Sequence, residues 1–400
     1  MAPPDSPLQP LPYHEALADY LSAEEAEAWA WFASAQAQSD YAEELRLELL
    51  KQTYRLDAAT YPELFRALDQ ARACLAPELP VTLYQSQKNQ SLNASIYCLP
   101  GEAHIVFEGN MLQLLNPAEL LGVISHELSH YRLWHEAGGR HFVTDRMAQA
   151  MAVEPRAEPS HGETARLLRL YTEIYADRGA LSVAGEASAV ISGLVKLHTG
   201  LAQVDAASYV KQADEVFARA KVRTEGLSHP EAFIRARAIR LWAEKDPEAD
   251  AEITRMIEGT VSLEKLDLLG QRRLTDLTLR WLRLLLRAPW FQSEPVKAHA
   301  RLYFPAIQFP SADHADDALV ETLRGSPVGL RDYFCYLLLD FSAVDPELED
   351  EPLKSAYALA ERLEWECRLE ALSVKELKLK KREAKRVREA ALPPKPEAAS

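Results

Sequence analysis

The 400-residue chain has no apolar run long enough to cross a bilayer. Its best candidates, Trp281 to Trp290 and Tyr333 to Phe341, are short and carry Arg or Asp. Cysteine is scarce as well: Cys74, Cys98, Cys335 and Cys367 are scattered and form no CxxC pair. That argues against a disulfide framework or a cysteine-ligated zinc site and fits a reducing compartment. The opening stretch MAPPDSPLQPLPYHEAL lacks a basic region followed by an apolar one, so no signal peptide is expected. These absences together predict a cytoplasmic protein. Positive charge is in deficit, with 45 Lys and Arg against 60 Asp and Glu and a net charge of -15. The chain as a whole therefore has no general drive toward nucleic acid or acidic membranes. No period of repeat length stands out either.

What is present is an ordinary globular composition, 48% hydrophobic and 26% charged. The length suggests two or three domains rather than one core. Residues from about Pro12 to Ala76 carry apolar positions at helical spacing. Strand patterns follow at Pro80 to Tyr84, Ser91 to Tyr97 and His104 to Phe107, with a turn at Leu99-Pro100-Gly101. Asn116-Pro117-Ala118-Glu119 predicts a capped helix with the apolar stripe Leu120, Leu121, Ile124, Leu128 and Tyr131, ending at Gly138-Gly139. Between Gly139 and Gly162 lies a polar insertion, expected as a loop over a cleft. A helix is then expected from about Glu163 to Val183, and nearly all of the chain beyond Pro230 reads as helix broken by prolines.

The string His126-Glu127-Leu128-Ser129-His130 falls on the capped helix. Residues four apart share one helix face, so both imidazoles can reach one ion. Glu127 projects about 100° away, where it can touch a metal-bound water without ligating the metal. From the numbers of His and acidic residues, chance supplies about 0.05 such strings in a chain of this length, which leaves coincidence a weak explanation. A catalytic zinc needs a third protein ligand and an open position. The next strong helix offers Glu173 and Asp177, again four apart: Glu173 as the third ligand, Asp177 as the carboxylate that orients a ligand histidine. Alone, such an acid pair is more often a solvated face.

HELSH followed by Thr172-Glu173-Ile174-Tyr175-Ala176-Asp177 resembles the HExxH and ExxAD pair of the gluzincin peptidases that include HtpX and the CAAX prenyl proteases. Ser91 to Ser95, the turn and strand after it, and Leu114-Leu115-Asn116-Pro117 resemble the same family's edge-strand region and its lead-in to the HExxH helix. The resemblance covers about residues 80 to 245. It implies an α+β, predominantly α-helical fold, with a gluzincin-type core of a small sheet and the HExxH helix flanked by helical regions. It also implies a zinc-dependent endopeptidase with one zinc per chain on His126, His130 and Glu173, Glu127 as general base, and a protein or peptide substrate. By the same resemblance Asn93 and Ala94 bind the substrate backbone. Leu227-Ser228-His229-Pro230 with Arg235 resembles the family's His-Pro…Arg element, so His229 and Arg235 orient site groups or stabilise the oxyanion. Many members of that family are membrane-anchored, and nothing in this chain is suited to that.

The remaining histidines are expected outside the ligand set: His135 beyond the ligand face, His141 and His161 in the insertion, His198 at a helix end. Tyr333 to Asp340, with Asp345-Pro346 after it, faintly resembles the helical pairs of TerB-like domains. The basic run Lys378 to Arg388 is the best candidate for an acidic partner or nucleic acid, though such a run is more often a solvated helix end, and the C-terminal helical region is the candidate for a protein partner. The expected division is 1–78 helical, 79–245 catalytic, 246–325 helical, 326–374 helical and TerB-like, and 375–400 a basic helix with a disordered tail. Two other readings stay open on residues alone. One is an idle scaffold of the same fold in which the metal is structural; the other is a metal-free helical adaptor in which HELSH is an accident.

Overall fold

The structure, a computed structural model, describes residues 8–34, 45–87, 91–99, 101–219 and 222–391. Pro100 and the Pro- and Ala-rich tail from 392 onward lie outside the described residues. Two compact units divide the chain, Met1–Gly259 and Thr260–Ser400.

The helices of the first unit include α1 (Pro12–Glu24), α2 (Ala26–Phe32), α3 (Pro62–Leu75), α4 (Met111–Leu114), α5 (Pro117–His135), α6 (Arg140–Val153), α7 (Pro159–Ala184), α8 (Ala187–Thr199), α9 (Ala206–Arg219), α10 (Ala232–Ala243) and α11 (Ala249–Glu258), and residues 45–52 are helical as well. Four strands, β1 (Thr53–Arg55), β2 (Val81–Ser86), β3 (Asn93–Leu99) and β4 (Glu102–Glu108), form one sheet in the order β1-β2-β4-β3. β2 and β4 run parallel, and the other pairs are antiparallel. Ala103 to Phe107 of β4 are all buried, as expected of a central strand covered on both faces. β3 is an edge strand, held on one side only by pairs from Asn93↔Glu108 to Leu99↔Glu102. The fold is thus α+β and predominantly helical, as the sequence predicted.

Helix α5 starts where the sequence placed it. Asn116 Oδ1 accepts from the amides of Ala118 and Glu119, both at 3.0 Å, and Glu119 returns a bond to the Asn116 amide at 2.9 Å. Such caps contribute about 1 kcal/mol. Glu119 is buried and also accepts from Ser192 (2.7 Å) and Lys196 (2.9 Å) of α8. Burial opposes its charge, yet these donors hold its carboxyl below the usual range. The N-terminus of α5 is thereby fixed to α8.

Three expectations need correction. The N-terminal stretch is not continuous helix, because β1 interrupts it and pairs with β2. Nor does it stand apart from the catalytic region: α3 buries Leu64, Ala67, Leu68, Ala71 and Leu75 against α5. The supposed loop after Gly139 is helix α6. Its apolar positions Val143, Met147 and Ala148 are buried against α7, four-residue spacing overriding its polar average. Gly138 and Gly139, at φ 71° and 80°, make the left-handed reversal that lets α6 fold back.

The second unit is all helix in its described residues: α12 (Leu268–Leu285), α13 (Glu294–Tyr303), α14 (Asp317–Leu323), α15 (Val328–Ser342), α16 (Glu351–Glu361), α17 (Glu366–Glu376) and α18 (Lys381–Ala391). Its core gathers Trp281, Phe334, Phe341, Tyr357 and Trp365. Asp340 accepts from His299 (2.6 Å) and Tyr303 (2.9 Å), and Asp345 caps a short turn, so both acids have structural work. The basic run packs as α18 through Ala384 and Val387, with Arg386 on Asp350 and Arg388 on Glu370. Among the described residues no helix is long and apolar enough to cross a membrane.

Gly179 of α7 sets how closely α5 and α7 approach. A Cβ there would lie 1.9 Å from Ser129 Oγ and 2.7 Å from Ser129 Cβ. Gly179→Ala is expected to lower stability by about 1–3 kcal/mol through overpacking, and Ser129→Gly in the same chain to recover part of that loss. Thermal or urea unfolding of the two variants checks it.

Candidate metal centre

One turn of helix separates His126 from His130, so both rings leave the same face of α5, and that face meets Glu173 of α7. His126 Nε2 and His130 Nε2 are 3.2 Å apart. His126 Nε2 is 3.3 Å from Glu173 Oε2, and His130 Nε2 is 3.6 Å from Glu173 Oε1. Donors held about 2.0–2.2 Å from a tetrahedral ion stand roughly 3.3–3.5 Å from one another. One ligand atom from each of the three residues lies within 4.8 Å of the others.

Asp177, one turn after Glu173, orients this set. Its Oδ1 lies 3.0 Å from His126 Nδ1. With Nδ1 donating to Asp177, the His126 lone pair is on Nε2, facing Glu173 and His130. Arg235 of α10 grips Asp177 with both ends of its fork, Nε to Oδ2 at 2.7 Å and Nη2 to Oδ1 at 2.6 Å. Burial opposes the charge on Asp177, but Arg235 and then His126 keep its carboxyl below the usual range.

The charges fit a divalent cation. Burial disfavours ionised Glu173, yet the two histidines and Arg235 hold its carboxyl well below the usual range. His130 is lowered to about 4, mainly by burial, and is neutral at pH 7 as a ligand must be. His126 is raised to about 10: burial opposes that charge, but the carboxylates of Asp177 and Glu173 outweigh it. With both imidazoles neutral, as ligation requires, ionised Glu173 and Asp177 against Arg235 leave one buried negative charge, two less one, and an ion binding there displaces the second proton of His126. Glu173 Oε2 is buried without a hydrogen-bond partner. Two imidazole nitrogens and a carboxylate in net negative surroundings match the donor set of zinc.

Glu127 is buried, on the neighbouring face of α5, and points between the ligands and β3. Burial pushes its carboxyl up to about 7, against the opposing pull of His126 and a hydrogen bond from the Ile96 amide. In an antiparallel edge strand a residue's N–H and C=O share one side, and sides alternate. The Ile96 amide turned toward Glu127 thus places Ala94, Ile96 and Cys98 with their backbone groups directed away from β4, toward the cleft.

The cleft has a volume of about 620 Å³ and takes in Asn93, Ala94, His229 and Arg235 with the metal residues. All the residues singled out in the sequence meet there. His229 lies in the turn before the helix that starts at Ala232 behind Glu231. Its Nε2 is 3.5 Å from Glu173 Oε1, and its side chain is 48% exposed and open to a ligand. The turn that carries it needs Gly226, where a Cβ would lie 2.0 Å from the His229 carbonyl oxygen. Arg166 anchors that turn through the Gly226 carbonyl at 2.8 Å.

His135 donates to the Tyr131 carbonyl, His161 caps α7, and His141 meets Glu15, all apart from the ligand atoms. His198 is a helix-end residue as expected, though it also lines the cleft. Trp134 went unmarked in the sequence, yet its ring stacks on His130 at 5.6 Å. Its position one turn after His130 was the available signal.

Residues 66–243 match the model of peptidase family M48, a family of zinc-dependent metallopeptidases. No curated protein and no solved structure gives a significant match.

Asp177→Asn is expected to weaken zinc binding about 10- to 100-fold, because the carboxylate charge behind His126 is lost and one acceptor becomes a donor facing His126 or Arg235, while all three candidate ligands remain. Competition against a chromophoric chelator measures this.

Proposed function

We propose that this chain, whose residues 66–243 carry the peptidase family M48 region, is a zinc-dependent endopeptidase that cleaves protein or peptide substrates in the cytoplasm. The observation that carries the reading is the convergence of His126, His130 and Glu173 beside a buried carboxylate that ligates nothing, Glu127. A purely structural site has no use for that carboxylate. Four free cysteines accord with the compartment.

Zinc, when bound, supplies an acidified water and polarises the scissile carbonyl. Glu127 takes the proton of the attacking water and returns it to the leaving amine. The Ile96 amide keeps that carboxylate aimed into the cleft. Ser228 Oγ lies 2.9 Å from His229 Nδ1, and with this hydroxyl donating, Nε2–H faces the cleft. His229 then serves as donor to the carbonyl oxygen as negative charge grows on it. Arg235 has its fork committed to Asp177, so its role is to position rather than to touch substrate. Ala94, with its backbone groups on the open side of β3, holds the substrate backbone as an added strand, and Asn93 beside it meets the substrate from the cleft wall.

Glu127→Gln is expected to retain about one zinc per chain and to lose at least about 10²- to 10⁴-fold in kcat. Cleavage of a denatured protein with zinc analysis of the same sample checks both. Wild-type activity in that variant would refute the assignment of the base.

The pH dependence has a defined sign. A base must be ionised, so kcat/KM falls as pH drops through the Glu127 pKa. Burial raises that pKa to about 7, and a bound dication pulls it down. The acid limb is therefore expected between the ordinary glutamate value of about 4.3 and about 7, as a pH-rate profile would reveal.

A further inference from the structure

A second cavity, of about 410 Å³, adjoins the cleft. Ile96 and Trp134 line both, so the two spaces share a wall at the point where Trp134 covers His130. Leu45, Leu99, Cys98, Phe142 and Val143 add to its apolar lining, and the exposed Arg146 also lines it. Arg146 is exposed, and its guanidinium lies 5.9 Å above the Phe142 ring. The cavity thus combines an aromatic body with a cationic rim. It runs along the Ile96 to Leu99 half of β3, beside backbone groups directed away from β4.

We propose that this cavity is a specificity pocket for a large aliphatic or aromatic side chain of the substrate, on the Cys98 side of the scissile bond. The inference rests on the peptidase reading given above. A peptide added to the open edge of β3 presents alternate side chains along the strand at about 3.3 Å per residue. The path from Ala94, beside the metal ligands, to Cys98 spans four residues, so the pocketed side chain belongs to a residue about two to four positions from the cleaved bond. Burying an apolar side chain there favours binding, whereas Arg146 repels a lysine or arginine in the same place. The occupant is a substrate peptide because the cavity continues the wall and the backbone edge of the catalytic cleft.

The test compares zinc-loaded wild type, Phe142→Ala and Arg146→Glu on peptides that differ only in carrying Phe, Ala or Lys at each position two to four residues from the cleaved bond. The wild type is expected to prefer Phe to Lys at least tenfold in kcat/KM, at positions on one side of the bond only. Phe142→Ala should reduce that preference to under threefold, through a raised KM for the Phe peptide. Arg146→Glu, an exposed change that leaves the fold intact, should raise the acceptance of Lys. A wild type indifferent at all of these positions, or a preference that neither substitution moves, overturns the proposal. The same peptides, labelled with a fluorophore, are also bound to zinc-loaded Glu127→Gln and read by anisotropy. Phe-selective binding that depends on Phe142, with no peptide cleaved by the wild type, would keep the pocket and sink the peptidase reading. Absence of both selective binding and cleavage would sink both.

Discussion

Asp177 joins three helices at one buried point. It takes the His126 ring from α5 and the Arg235 fork from α10, and its own helix α7 carries Glu173 one turn earlier. A carboxylate buried to this degree is costly unless it is paired and hydrogen-bonded, and here both of its oxygens are held. The position of each partner is therefore coupled to the others. If α10 moved, Arg235 would leave Asp177 uncompensated; if α5 moved, His126 would lose the acceptor that fixes its tautomer. The three candidate ligands thus have their geometry fixed by this arrangement of protein groups.

The close approach of α5 and α7 is what makes such pairing reachable. Ser129, between the two ligand histidines, occupies the space that a side chain on Gly179 would need. The cap at Asn116 and the tie from Glu119 to Ser192 and Lys196 fix α5 at its other end. Above this helix pair the edge strand β3 contributes backbone chemistry. The Ile96 amide faces Glu127, and alternation along the strand aligns Ala94 and Cys98 with it. Rigid helices thus hold the ion-binding groups, while the sheet offers an unpaired edge on which an extended chain can be added.

The site was more legible in the sequence than the architecture around it. His126, Glu127 and His130 announce themselves through spacing and a well-formed cap, and Glu173 and Asp177 through the same four-residue periodicity. The division of labour between His229 and Arg235 was not readable, because spacing places a residue on a helix or turn but does not name the group opposite. Only the distance to Asp177 shows that the Arg235 fork is taken. Helix α6 was misread as a loop because its polar residues mask Val143, Met147 and Ala148, whose periodicity matters only once α7 is there to receive them. The packing of α3 on α5, within the unit that holds the candidate site, was hidden for the same reason. The second cavity joins β3 to Phe142 and Arg146 across more than forty residues of chain, and no local pattern reports such a meeting.

The central claim is that His126, His130 and Glu173 together hold one zinc ion, and elemental analysis of purified wild type beside Glu173→Ala tests it most directly. The account predicts about one zinc per chain in the wild type and a marked loss in the variant, with both proteins melting cooperatively. Equal zinc in the two, or none in either after zinc is supplied, would contradict it.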